Sequence, residues 1–260
     1  MIALRLPFDQ LMLFFLVLVR VAAILASLPI FNSRNLPVMV KAGLALAVAM
    51  AIFPVLNLGR TGGLDNLGLL AVGVLGEVLL GACIGLLIRI LFAGIQMAGQ
   101  VAGYQMGLAI ANIMDPATST QIPTLAQAYN LMAMLIFLTI DAHHWFFRSL
   151  VESFDLLPLF HFRLSASMIS HLFDTAGSMF VIAIQVGAPV IVVLILTSVA
   201  FGLLARTVPQ MNIFIVAMPL KIVVGLVFVI LSLPYIRLFL IELFQGFGAN
   251  LNAVIRLMGP

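Results

Sequence analysis

The 260 residues are 64% hydrophobic and 8% charged, with a net charge of +3 and a mean hydropathy of +1.26. A soluble globular domain is about half apolar and about a quarter charged, so this composition excludes one and places the chain in a bilayer, as one domain by length. Cys83 is the only cysteine, which excludes an internal disulfide, and no basic cluster offers a nucleic-acid surface.

Apolar runs that approach the roughly 20 residues needed to cross a hydrocarbon core occur at 11–31, 37–57, 67–96, 125–140, 176–206 and 211–245. These predict an all-α membrane protein of about six hydrophobic helical segments, some of them broken. The first run follows Arg5 and is interrupted by Arg20, which argues for a retained helix over a cleavable signal. Pro29 and Pro37 bracket the first connection, and Asn57 to Gly63 marks a second break. The fourth run is short for a span, and the sixth is long enough for a kinked helix. Residues 141–175 form the largest polar excursion and hold all four histidines. With six alternating spans, one side collects Arg5, Arg60, Arg148, Arg163, Arg237 and Arg256, and the other Arg34, Lys41, Arg206 and Lys221. Six against four does not orient the chain by the positive-inside rule.

Arg20, Glu77 and Arg89 lie inside apolar runs. A charge at mid-span costs about 2.5–3.5 kcal/mol on insertion scales, so each is expected to face protein or water. Glu77 and Arg89 sit about 18 Å apart along one helix at 1.5 Å per residue and cannot pair within it. Interfacial or subunit-contact pairing near the span ends is the favoured reading of these charges, over an ion or proton path.

Residues 90–147 contain no Lys or Arg, and within them small residues recur at Gly99, Gly103, Gly107 and Ala111 before the chain breaks at Asp115-Pro116. Gly81 and Gly85 repeat the same spacing. Such small-xxx-small patterns permit close helix approach. Irregular backbone at membrane depth survives where it is buried in protein or lines a water-filled space, so the end of this series is the expected pore or gate. Methionines cluster around it, with Met97, Met106 and Met114 beside the glycines. Core filling is their ordinary role, and flexible thioethers also suit a deformable seal.

Asp141-Ala-His143-His144-Trp145 invites a metal reading, but adjacent histidines point to different helix faces and no third ligand stands at a supporting spacing. An aromatic stretch at a membrane boundary is the preferred interpretation. No nucleophile elbow, zinc-protease motif or phosphate-binding loop is present, so no enzyme and no cofactor are expected. Further along, Arg206, Pro209, Gln210, Asn212, Pro219 and Lys221 read as a turn between the last two long helices.

Together these segments resemble the FliR family of flagellar biosynthetic proteins and its type III secretion relatives. The resemblance covers nearly the whole chain. It is carried by Leu28-Pro-Ile-Phe and Leu36-Pro-Val-Met-Val-Lys-Ala-Gly, by Gln105-Met-Gly-Leu-Ala-Ile-Ala-Asn-Ile-Met-Asp-Pro116, and by Leu131 to Ile140 with the following His-His-Trp. Arg206-Thr-Val-Pro-Gln-Met-Asn-Ile-Phe and Pro219-Leu-Lys221 complete it and are the most specific.

The resemblance implies a single-copy subunit of the export gate, assembled with FliP and FliQ and joined by FlhA and FlhB, which passes unfolded substrates through the bacterial inner membrane. It implies a FliP-like portion over 1–175 and a FliQ-like helical hairpin over 176–260, whose Arg206, Pro209, Gln210, Asn212, Pro219 and Lys221 serve the hairpin and subunit interface. It also implies a plug loop over 107–124, with Gly107, Ile110, Ala111, Asn112, Ile113, Met114, Asp115 and Pro116 as its gate residues. A virulence-type export gate of the same superfamily and a small-solute secondary transporter are the alternatives. The transporter would use Glu77, Arg89 and the break near Asp115 as a midplane site.

Overall fold

The structure, a computed structural model, describes residues 8–28, 37–56, 67–108, 123–163, 165–208, 210 and 212–258. Among the described residues seven helices form: α1 (Phe8–Ser27), α2 (Val38–Ile52), α3 (Leu67–Met106), α4 (Thr124–Thr139), α5 (Ala142–Leu156), α6 (Ala166–Thr207) and α7 (Ile213–Leu257), with a 3₁₀ turn at Phe53–Val55 after α2. The described residues contain no strand. A helix satisfies every interior backbone group by itself, which is what an apolar chain needs in lipid. Five of the helices are long and apolar enough to cross a membrane, and α4 with α5 make a sixth candidate if that broken pair is one span.

The predicted runs reappear with shifted ends. α3 continues ten residues past the expected boundary at 96, through Gly99 and Gly103, because polar Gln96, Gln100 and Gln105 lower the hydropathy of a stretch that remains helical. α6 begins at Ala166 instead of 176. Ser165 starts it: its Oγ accepts the Met168 backbone N–H at 3.1 Å, the bond that satisfies an orphan donor at a helix N-terminus. α5 lies within the expected polar excursion. It is amphipathic, with Ala142, Phe146, Ser149, Leu150, Ser153 and Phe154 buried, a stripe of 3.6-residue period that a search for continuous apolar runs passes over.

Two compact units divide the described contacts, and neither is a consecutive piece of chain. The first takes residues 1–90, 141–176 and 245–260, and the second 91–140 and 177–244. Helices α3, α6 and α7 each contribute to both.

In the first unit, α1 and α3 approach closely. A Cβ added at Gly81 would stand 2.5 Å from Ala23 Cβ, and one at Gly85 would collide with the Ser27 side chain and come within 3.1 Å of its Cα. Leu16, Val17, Ile24, Leu80, Leu87 and Ile88 are buried around this crossing. In the second unit, α3 and α4 meet the same way. A Cβ at Gly99 would lie 2.6 Å from Ala126 Cα, whereas one at Gly103 would make an ordinary 3.7 Å contact with Leu125. Gln96 bridges the same helix pair, donating to Asn130 Oδ1 at 2.8 Å. Phe92, Phe137 and Phe244 form a mutual cluster with ring centroids 5.3–5.9 Å apart, within the range of favourable aromatic pairs. The small-residue face thus packs against other parts of this chain.

Candidate functional site

Four places hold the residues singled out from the sequence: a buried charge cluster in the first unit, the C-terminal end of α3 in the second, the turn before α7, and the break before α5. The charge cluster centres on Arg20, which is fully buried, as is Glu77 at 2% exposure. The guanidinium Nε and Nη2 both donate to the Glu77 carboxylate, the Nη2 bond measuring 3.0 Å. Nη1 donates to the carbonyl oxygens of Ser153 and Leu157, each at 3.0 Å. The guanidinium carbon also sits 4.2 Å from the centroid of the Phe154 ring, a cation–π distance. One side chain thereby joins α1 to α3 and to the C-terminal end of α5, where orphan carbonyls need donors.

This corrects the expectation for Arg20 and Glu77. They do not pair at span ends or with another subunit, but with each other in the interior, 57 residues apart in sequence. A fork-to-fork arginine–carboxylate pair with further hydrogen bonds to backbone carbonyls is the arrangement that makes a buried pair tolerable. Arg89 behaves differently. Its side chain is exposed and donates to Ser27 O at 3.1 Å and Ala26 O at 3.3 Å, capping the C-terminal end of α1, where a cation also meets the negative pole of the helix.

The end of α3 is built by Gly107. Its φ is +83°, a left-handed conformation that glycine adopts at little cost. Gly107 N–H bonds Tyr104 O at 3.0 Å, and Leu108 N–H bonds Gly103 O at 3.1 Å. This pair of bonds is the Schellman motif, which satisfies the last carbonyls and turns the chain out of the helix axis. Residues 109–122, which carry the predicted gate positions Ile110, Ala111, Asn112, Ile113, Met114, Asp115 and Pro116, lie outside the described residues. Description resumes at Pro123, the residue that precedes the first turn of α4.

In the predicted hairpin turn, Pro209 lies outside the described residues, while Arg206, Gln210 and Asn212 are exposed. Pro219 and Lys221 do not bound this turn: both lie inside α7. α7 begins at Ile213 and continues through Pro219.

The break before α5 gathers what the sequence reading set apart. Asp141 adopts φ 55°, ψ 27° at the N-cap, and its carboxylate makes no capping bond. One carboxylate oxygen instead lies 3.5 Å from His144 Nδ1 and 3.9 Å from His143 Nε2. The two imidazole rings are tilted by 35° with centroids 4.2 Å apart. One ligand atom from each of Asp141, His143 and His144 therefore lies within 4.8 Å of the others. The expectation that the histidines diverge and lack a third donor fails because the left-handed Asp141 folds its side chain back over the first turn.

The sequence profile of a family described as bacterial export proteins, family 1, matches residues 11–247. The chain belongs to this family. It is 33% identical over 252 residues to the flagellar biosynthetic protein FliR of Bacillus subtilis, with 95% of each chain covered. It is 34% identical to the FliR of Pectobacterium carotovorum, covering 89% of this chain and 88% of the relative. With the FliR of Escherichia coli it shares 34% identity, over 90% of this chain and 88% of the other. The matched span includes the Arg20–Glu77 cluster, Gly107 and the Asp141 break. Family membership and the apolar helices together make it a multi-pass membrane protein.

Sequence reasoning found Arg20 and Glu77 separately but missed their pairing, and it missed Phe154, Ser153 and Leu157 around them. The signal for the pairing was available: two opposite charges in different apolar runs, each costly alone, relieve that cost best with one another.

Proposed function

We propose that this chain is a non-enzymatic pore and gate subunit of the flagellar protein export apparatus in the bacterial inner membrane. In this reading it assembles with FliP and FliQ, works with FlhA and FlhB, and helps pass unfolded flagellar proteins. Residues 1–175 act as the FliP-like portion and 176–260 as the FliQ-like hairpin, with Arg206, Pro209, Gln210, Asn212, Pro219 and Lys221 at subunit contacts. The segment 107–124 is the plug. The names of the similar proteins support the flagellar over the virulence branch.

The observation that carries the gate role is the Schellman stop at Gly107. α3 is held against α4 by the close approach of Gly99 to Ala126, and then ends abruptly at a glycine. A segment that joins two helices held against each other can obstruct a passage and be displaced without unravelling the helices that anchor it. The transporter alternative loses its chemistry, since Glu77 is consumed by Arg20 and Arg89 by the end of α1.

Deleting residues 110–116 tests this reading. In fully assembled gates reconstituted in planar bilayers, the deletion is expected to raise ion conductance several-fold over the undeleted complex. Equal conductance at equal assembly would overturn the plug.

A further inference from the structure

The geometry points to a divalent metal site at the break before α5, formed by the Asp141 carboxylate, His143 Nε2 and His144 Nδ1. In a tetrahedral site with metal–nitrogen and metal–oxygen bonds of about 2.0–2.2 Å, neighbouring donor atoms stand about 3.4 Å apart. The two histidine nitrogens stand 3.5 and 3.9 Å from the same carboxylate oxygen, so small side-chain rotations bring all three donors onto one ion.

Two of the donors lack their ordinary partners among the described residues. Asp141 occupies the N-cap, where a carboxylate ordinarily accepts a backbone N–H, yet it makes no such bond and turns to the rings. His143 Nδ1 is buried without a hydrogen-bond partner among the described residues, which leaves Nε2 as the nitrogen that can reach outward. The rings of His143 and His144 lie 4.2 Å apart, close enough for both imidazoles to share one ion beside the aspartate. Two imidazoles and one carboxylate suit zinc and neighbouring first-row ions such as cobalt or nickel, and are poorly matched to calcium or magnesium. Asp141 and His144 are exposed, so water completes the coordination sphere and the ion can enter from solvent. Bound there, it ties Asp141 to the first turn of α5 in place of the absent cap. This proposal is independent of the export reading.

The test is titration of the full chain in lipid nanodiscs, purified without a polyhistidine tag. Co2+ is expected to give a saturable visible absorption band at one ion per chain, displaced by Zn2+. Asp141→Ala, His143→Ala and His144→Ala are each expected to weaken binding at least tenfold, while His161→Ala and His171→Ala leave it unchanged. A readout on the unmodified protein stands apart from any variant's folding: Zn2+ should shift the imidazole NMR resonances of His143 and His144 and leave those of His161 and His171 in place. Absence of a saturable band, a band that survives the triple substitution, or equal shifts at all four histidines would each overturn the site.

Discussion

Arg20 uses every guanidinium nitrogen on a named partner. The physical consequence is asymmetric. Removing one partner of a buried pair leaves an uncompensated charge, at a cost of about 3–5 kcal/mol, whereas replacing both by apolar groups of similar volume is far milder. Glu77→Leu alone is therefore expected to lower the thermal midpoint of the purified protein markedly. The double variant Arg20→Met with Glu77→Leu should recover most of that loss, short of full recovery because the Leu157 carbonyl loses its arginine donor. Thermal unfolding in one detergent, measured on the two single variants and the double, checks this. A double variant no more stable than Glu77→Leu would show that the pair is not the stabilising unit.

Between helices, what matters is which atom a glycine faces. A Cβ at Gly99 would meet the backbone of α4, with Ala126 Cα at 2.6 Å and Ala126 N at 2.9 Å. Backbone cannot swing aside, so Gly99→Ala is expected to destabilise by about 1–3 kcal/mol, as overpacking does. A Cβ at Gly225 in α7 would meet the Met106 side chain, with Cγ at 2.7 Å and Sδ and Cε at 2.8 Å. A thioether relocates easily, and alanine is favoured over glycine in a helix by up to about 1 kcal/mol. Gly225→Ala is thus expected to be neutral or stabilising. Comparing the two variants by thermal unfolding decides it, and equal losses would refute the distinction. The spacing of Gly81, Gly85, Gly99 and Gly103 was legible as a close-packing face. That Gly99 faces backbone while Gly103 makes an ordinary contact was not, because the spacing is the same and only the neighbour differs.

Over the whole molecule, large apolar side chains remain uncovered. Met39 in α2 is 87% exposed and Ile215 in α7 is 70% exposed, and only 11% of the α2 span and 17% of an 18-residue apolar window in α7 are buried within the chain. Exposed apolar area on this scale is covered in the cell by lipid or by protein. With the proposed partners, α2 and α7 are the surfaces expected to be occupied. Met39→Cys and Ile215→Cys, in a Cys83→Ser background, should react with a bulky maleimide in the isolated detergent-solubilised chain and react at least several-fold more slowly in the co-purified complex. Equal rates in both would remove these faces from the interface.

The sequence alone determined that this is an all-α membrane chain, where most of its helices lie, and that a small-residue face runs through Gly99 and Gly103. Each of these rests on local physics: hydropathy over about 20 residues, helical periodicity, and the conformations open to glycine. Only the tertiary structure decided that Arg20 belongs to Glu77, that Gly85 meets Ser27, and that Asp141 turns back on His143 and His144. The first two join residues 57 and 58 positions apart, and the third depends on one left-handed residue. The first two follow from how helices pack, which no local window of sequence encodes, and the third from where the backbone bends.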